Sequence, residues 1–355
     1  MRARSLTGLL ALAAVLAGLA RAGDAPPPSA AAPLSAEHAR LAPHSLLISV
    51  AAAGERLVAV GDRGVIVLSD DRGASWTQAA SVPAQALLTG VCFFDARRGV
   101  AVGHDEVILV TDDAGENWKL AHYAPEAQRP LLDVWCGTGS SAIAVGAYST
   151  CLASADGGKS WSAQRFTPSR APQPAARASA ARDSSGIAEQ GGGYHLNRIV
   201  GAAGSRLYVA GEAGHLYRSD DAGAHWQELA SPYAGSFFDV LPLGGDALLA
   251  VGLRGNLYRS EDAGGSWRRI ETHSVAMLDG AALLAADEVA VVGLSGVVLV
   301  SRDGGRSFSL EQQSDHGGLS SALAVGKDAI VVVGEGGARL LRLAGGAAAG
   351  GGAGR

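Results

Sequence analysis

The chain is written in short aliphatic runs separated by glycine-bearing turns. Val60-Gly61, Val102-Gly103, Val145-Gly146, Ala210-Gly211, Val251-Gly252, Val292-Gly293 and Val333-Gly334 each end such a run. A few turn residues follow, then a second run, such as Val65-Ile66-Val67-Leu68 or Val297-Val298-Leu299-Val300. Apolar stretches of this length bounded by turn residues read as short strands. After six of the seven comes a box of the form S/T-x-D-x-G-x-x-W/F, at 69–76, 111–118, 154–161, 219–226, 260–267 and 301–308. The closing aromatic residues are spaced 41 to 43 residues apart, except for 65 between Trp161 and Trp226. The seventh unit, 318–343, has three strand-like runs and no box.

Four short strands recurring every forty residues or so are the mark of a propeller blade. A solenoid would need polar caps at both ends, whereas the incomplete seventh unit points to a ring. The pattern predicts an all-β, seven-bladed β-propeller of four-stranded blades spanning 38–343. The segment around 38–43 is expected to supply the missing outer strand of the last blade, leaving no open edge where the chain ends meet.

The boxes fall between the third and fourth strands. Their aspartates (Asp71, Asp113, Asp156, Asp221, Asp262, Asp303) suit acceptance of backbone N–H bonds across a turn, as does the leading Ser or Thr. Their glycines (Gly73, Gly115, Gly158, Gly223, Gly264, Gly305) permit positive φ. Trp76, Trp118, Trp161, Trp226, Trp267 and Phe308 each offer a large ring to bury. Six boxes spread around a ring do not converge on one substrate, so these acids read as turn chemistry. A metal reading of pairs such as Asp70-Asp71 fails because Ala155 and Arg302 replace the first acid in two boxes.

A net charge of -5 with 18% charged residues excludes the basic surface of a nucleic-acid binder. Arg2 and Arg4, the apolar run 6–19 and Ala20-Arg21-Ala22 form a signal peptide expected to be cut after Ala22, placing the protein in the periplasm or outside the cell. No Cys follows that cut, which argues against a lipid anchor, and 23–37 reads as a flexible linker. Cys92 and Cys136 precede Val-Gly landmarks and so fall on equivalent inner strands; with Cys151 they read as small buried hydrophobes. A disulfide between two of them is left open. No CxxC or clustered His/Cys spacing suggests a metal. Residues 165–193, with three prolines, four arginines and a Gly-Gly-Gly run, read as a disordered insert between blades three and four, and 344–355 as a flexible Gly/Ala tail.

The boxes resemble the Asp-box, or bacterial neuraminidase, repeat. VG-x-x-G, a strand, then S-x-D-x-G-x-x-W is similar in particular to the photosystem II stability and assembly factor-like propellers, most closely at 60–76, 210–226 and 251–267. The likeness extends over about 40–343. It implies a monomeric, non-enzymatic protein without cofactor that binds a newly made membrane-protein subunit and helps assemble it, in a photosystem or beside an envelope transporter.

Sialidases share the repeat, so a glycosidase is the alternative in another class. It needs an arginine cluster, a Tyr nucleophile and partner carboxylates. No Arg-Ile-Pro occurs near the start, the first-strand segments 46–50, 87–93 and 131–136 lack arginine, and Tyr148, Tyr194 and Tyr233 have no paired acid at matching positions. A structural envelope scaffold is a third reading. For a binding module, the loops opposite the boxes are the candidate surface: Arg63, His104, Tyr148, Glu212, Arg254 and Glu335 in the turns, with His195 and Asn197 leading into blade four. That mixed polar ring suits a protein or peptide.

Overall fold

The computed structural model describes residues 33–169 and 193–343. The expected signal peptide, residues 23–32 of the linker, residues 170–192 of the insert and the tail at 344–355 lie outside them. The described chain forms seven antiparallel sheets, each running in chain order from an inner strand outward. In the first, the strands are Leu47–Ala53, Arg56–Gly61, Ile66–Ser69 and Thr77–Gln78. The other inner strands are Leu88–Phe93, Leu131–Cys136, Leu196–Gly201, Phe237–Gly244, Leu278–Ala285 and Leu319–Gly326. Each inner strand touches the next, and Leu319–Gly326 touches Leu47–Ala53, closing a seven-bladed ring.

The second strands explain the aliphatic runs. Val58, Ala59, Val60 and, in blade six, Val289, Ala290, Val291 and Val292 are fully buried, because a blade is covered on both faces by its neighbours. One cluster joins Val58, Ile66 and Leu68 of blade one to Leu88, Ala101 and Leu109 of blade two. Another joins Leu47, Leu57 and Val67 to Val331 and Val333 across the closure. Burying each such side chain contributes roughly 1.5–3 kcal/mol, against about 0–1 for an exposed ion pair. Apolar contact between blades, not charge, holds the ring.

The last sheet departs from expectation. Among the described residues it has three strands, Leu319–Gly326, Ala329–Gly334 and Gly337–Arg342. Residues 38–43 do not add a fourth. Pro43, which lacks an N–H and so cannot donate to a ladder, helps set a 3-10 turn at Ala42–His44. The segment before it lies along blade one: Ala36 N donates to Val82 O at 2.9 Å, Ala39 N to Gln78 Oε1 at 2.9 Å, and His38 Nε2 hydrogen-bonds Ala80 O at 3.0 Å. The free edge of Gly337–Arg342 carries Arg339 and Arg342, charges of the kind that discourage pairing with another chain.

Three further features go beyond the sequence reading, the first of them deciding a pairing it left open. Cys92 and Cys136 form a disulfide between the inner strands of blades two and three, with Cα atoms 5.6 Å apart, while Cys151 is free and buried. The start of the expected insert is placed rather than disordered: Phe166 packs edge-on against Tyr217 at 5.0 Å, and Ser169 N donates to Trp226 O at 2.9 Å. And every inner strand carries a register shift near its start. A bulge lets two consecutive residues face one way. Here they face the central channel.

Candidate functional site

The box loops crowd one end of the ring. In the first, Gly73 N and Ser75 N donate to Ser69 Oγ at 2.8 Å and Asp71 Oδ1 at 2.9 Å, and Trp76 Nε1 donates to Gly73 O at 3.3 Å. The leading hydroxyl accepts from the box glycine at 2.8–3.1 Å in all six. Hydrogen bonds from the residue four further on (Ser75, Ser160, His225) hold Asp71, Asp156 and Asp221 down to about 2. These carboxylates are occupied within their own loops.

The opposite end carries the turns between second and third strands and the linkers into each inner strand. Arg63 and Arg254 stand exposed at the tips of equivalent turns with φ of 51° and 58°. Arg63 Nε lies 3.7 Å from Asp62 Oδ2. His104 is exposed in the blade-two turn, and Tyr148, 52% exposed, meets the His195 ring edge-on at 5.2 Å. The other three candidates do different work. Glu212 Oε2 accepts from His195 N at 3.3 Å, and Glu335 Oε2 accepts from Gly318 N at 3.0 Å; each carboxylate secures the linker into its own blade. Asn197 lies within its inner strand, and its Nδ2 donates to Phe237 O of the next at 2.8 Å. Around Arg63, His104, Tyr148 and Arg254 are apolar side chains left uncovered on the same face: Leu41, Leu46, Leu294 and Val275, the last 86% exposed.

Where the channel opens onto this face there is a cavity of about 250 Å³, lined from all seven inner strands. The bulged residues form its rim: Ile48, Thr89, Leu132, Asn197, Phe238, Asp279 and Ser320, all half-buried. Below them Arg198 lies between two buried carboxylates, with Nη1 3.4 Å from Asp133 Oδ1 and Nε 3.3 Å from Asp239 Oδ1. Asp133 Oδ2 accepts from Ile199 N at 2.9 Å and Asp239 Oδ2 from Ala281 N at 2.8 Å, so each carboxylate also ties its blade to the next. Burial pushes both acids up, opposed by Arg198 and these backbone donors. Asp279 is pushed up to about 7 by desolvation and the neighbouring Asp239 charge, against the pull of Arg198.

Sequence reasoning passed over this cluster. The first three inner strands lack arginine, and Arg198 is in the fourth. The available signal was a charged residue one or two positions after the first aliphatic residue of an inner strand, where strict alternation would assign only one of the two to the channel. No tyrosine lines the cavity: Tyr148 is at a turn, Tyr194 stacks on His215, and Tyr233 packs against Phe237 and Tyr258. Among the described residues no group of His, Cys, Asp and Glu is arranged to hold a metal ion.

No family model matches the chain, and no curated protein does. Solved structures do. A structure of YCF48 bound to D1 peptide is 15% identical, with 85% of this chain and 93% of that one covered at a TM-score of 0.64. YCF48 from Cyanidioschyzon merolae is 17% identical, covering 84% and 95% at a TM-score of 0.65. The WD40 propeller domain of Doa1 is 12% identical, covering 87% and 95% at a TM-score of 0.59. At these identities the likeness is one of fold.

Proposed function

We propose that this chain is an exported, non-enzymatic propeller that docks a segment of a membrane-protein partner on the face opposite the boxes, acting as an assembly or accessory factor of an envelope complex. The observation that carries the reading is the composition of that face. Tyr148, Leu41, Val275 and Leu294 leave apolar surface uncovered beside the exposed Arg63 and Arg254, and aromatic and arginine side chains are those enriched where proteins meet. The box carboxylates and leading hydroxyls, by contrast, are taken up within their own loops. The sequence resemblance to photosystem II stability and assembly factor-like propellers supports the same reading, as does a peptide held by YCF48, a protein of similar architecture. Export rests on the N-terminal segment and predicts a mature chain beginning at Gly23.

The test is cross-linking in intact cells, followed by purification of the tagged chain from solubilised membranes and identification of what it carries. The parent should retain a discrete membrane-protein subunit. Arg63→Glu with Arg254→Glu should lose most of it while melting at the parent's temperature. Equal recovery by parent and variant removes this face from consideration.

A further inference from the structure

The docking reading accounts for the rim of the face but not for the charged cavity at its centre. One guanidinium stands there among three carboxyl groups, and the four are not equivalent. Arg198 is shared by Asp133 and Asp239, and each of those acids also accepts a backbone N–H. Asp279 sits at the rim itself, where burial and the charges of Asp239 and Arg198 act on its carboxyl and, among the described residues, no hydrogen bond does. The mouth above is part apolar, with Ile48, Leu132 and Phe238 half-buried around it. A carboxylate set among apolar rim side chains suits a ligand with a hydrocarbon stem and a positive head. An anionic group would meet the carboxylates, and a purely apolar one would strand Asp279 without solvent.

We propose that the channel mouth receives one lysine or arginine side chain projecting from the polypeptide docked on this face, with Asp279 as the carboxylate that takes the cation. This rests on the docking reading above and adds what the centre of the face selects. Only the ionised carboxylate attracts a cation, so capture follows the charge of Asp279. The titratable groups sharing its cavity are Asp239, Arg198 and Asp133 on one side; the strands on the other side contribute only the hydroxyls of Ser320, Ser321, Ser49 and Thr89. With Asp279 half-ionised near pH 7, capture should weaken about tenfold between pH 8 and pH 6.

The measurement uses the whole mature chain and three small probes, the Nα-acetyl amides of arginine, lysine and norleucine, titrated by calorimetry. The two cations should bind saturably at pH 8, more weakly at pH 6, and the neutral norleucine not at all. Asp279→Asn should abolish binding. So should Ser320→Lys, which builds an ammonium group into the neighbouring rim position; two variants at different strands, one removing the anion and one adding a cation, guard against a folding defect in either. Absence of saturable binding by both cations, or binding retained in both variants, overturns the site. A chain that captures its membrane partner yet ignores both cations overturns the channel site and leaves the docking reading standing. Loss of capture with cation binding intact overturns the docking reading and with it the polypeptide as the carrier of the cation.

Discussion

Asp279 and the box aspartates pull the pH dependence of stability in opposite directions, in different windows. The box acids Asp71, Asp156 and Asp221 sit near 2 in the folded chain, below the ordinary 3.8. A depressed acid adds stability above its unfolded value and loses it as pH falls toward the folded one. The boxes therefore weaken below about pH 4. Asp279 is raised to about 7, so the folded state holds a proton that the unfolded chain has released. Its contribution is most favourable below about pH 4, fades as pH rises toward 7, and is gone above. Burial raises Asp133 and Asp239 too, which adds to the same slope. These contributions should thus peak near pH 4 and fall as pH rises toward 7. Asp279→Asn should flatten the fall toward pH 8 and leave the variant more stable there by on the order of 2–4 kcal/mol. Denaturant melts of parent and variant from pH 3 to 8 check this, and parallel curves would show that Asp279 is ionised throughout. The turn bonding of the box aspartates was legible in the sequence; the role of Asp279 was not, because it looks like any acid in a strand until the bulge turns it inward.

At the scale of the element, the repeat was legible and its cross-links were not. The Val-Gly landmarks set the number of second strands, and the boxes set the third-to-fourth turns, because backbone sterics demand those residues wherever the unit occurs. Cys92 and Cys136 were placed on equivalent inner strands, but spacing along the chain does not report how closely two blades approach. In the folded ring those strands are neighbours, and the bond closes a separation of 44 residues. Such a bond should contribute about 2–4 kcal/mol, chiefly by restricting the unfolded chain. Replacing both with alanine should lower stability by that amount without altering the fold. Peptide mapping without reduction should recover Cys92 joined to Cys136. Cys151, buried and with its thiol pushed up to about 11, should alkylate only on unfolding. A map showing Cys151 in the bond, or all three thiols free, would contradict the arrangement.

For the whole molecule the question is how a ring with a three-stranded last blade stays closed. Each linker into a blade lies over the preceding blade's turn, so that Ala84 O rests against Gly64 and Pro43 O against Gly337. Both glycines have positive φ, 71° and 78°, and a Cβ on either would fall inside the facing carbonyl. The two contacts are alike in geometry but not in connectivity. Gly64 joins blades already consecutive in the chain; Gly337 joins the last blade to the first, where no covalent link follows if the contact opens. The apolar cluster of Leu47, Leu57 and Val67 with Val331 and Val333 also spans this junction. Gly64→Ala and Gly337→Ala should each cost about 2–3 kcal/mol, from the strained φ and the overpacking. Only Gly337→Ala should also speed amide exchange in both Leu47–Ala53 and Leu319–Gly326, since there the strain is relieved by parting the ring rather than by shifting a linker. Exchange followed by mass spectrometry separates the two, and equal protection of those strands in both variants would mean that apolar packing alone keeps the ring shut.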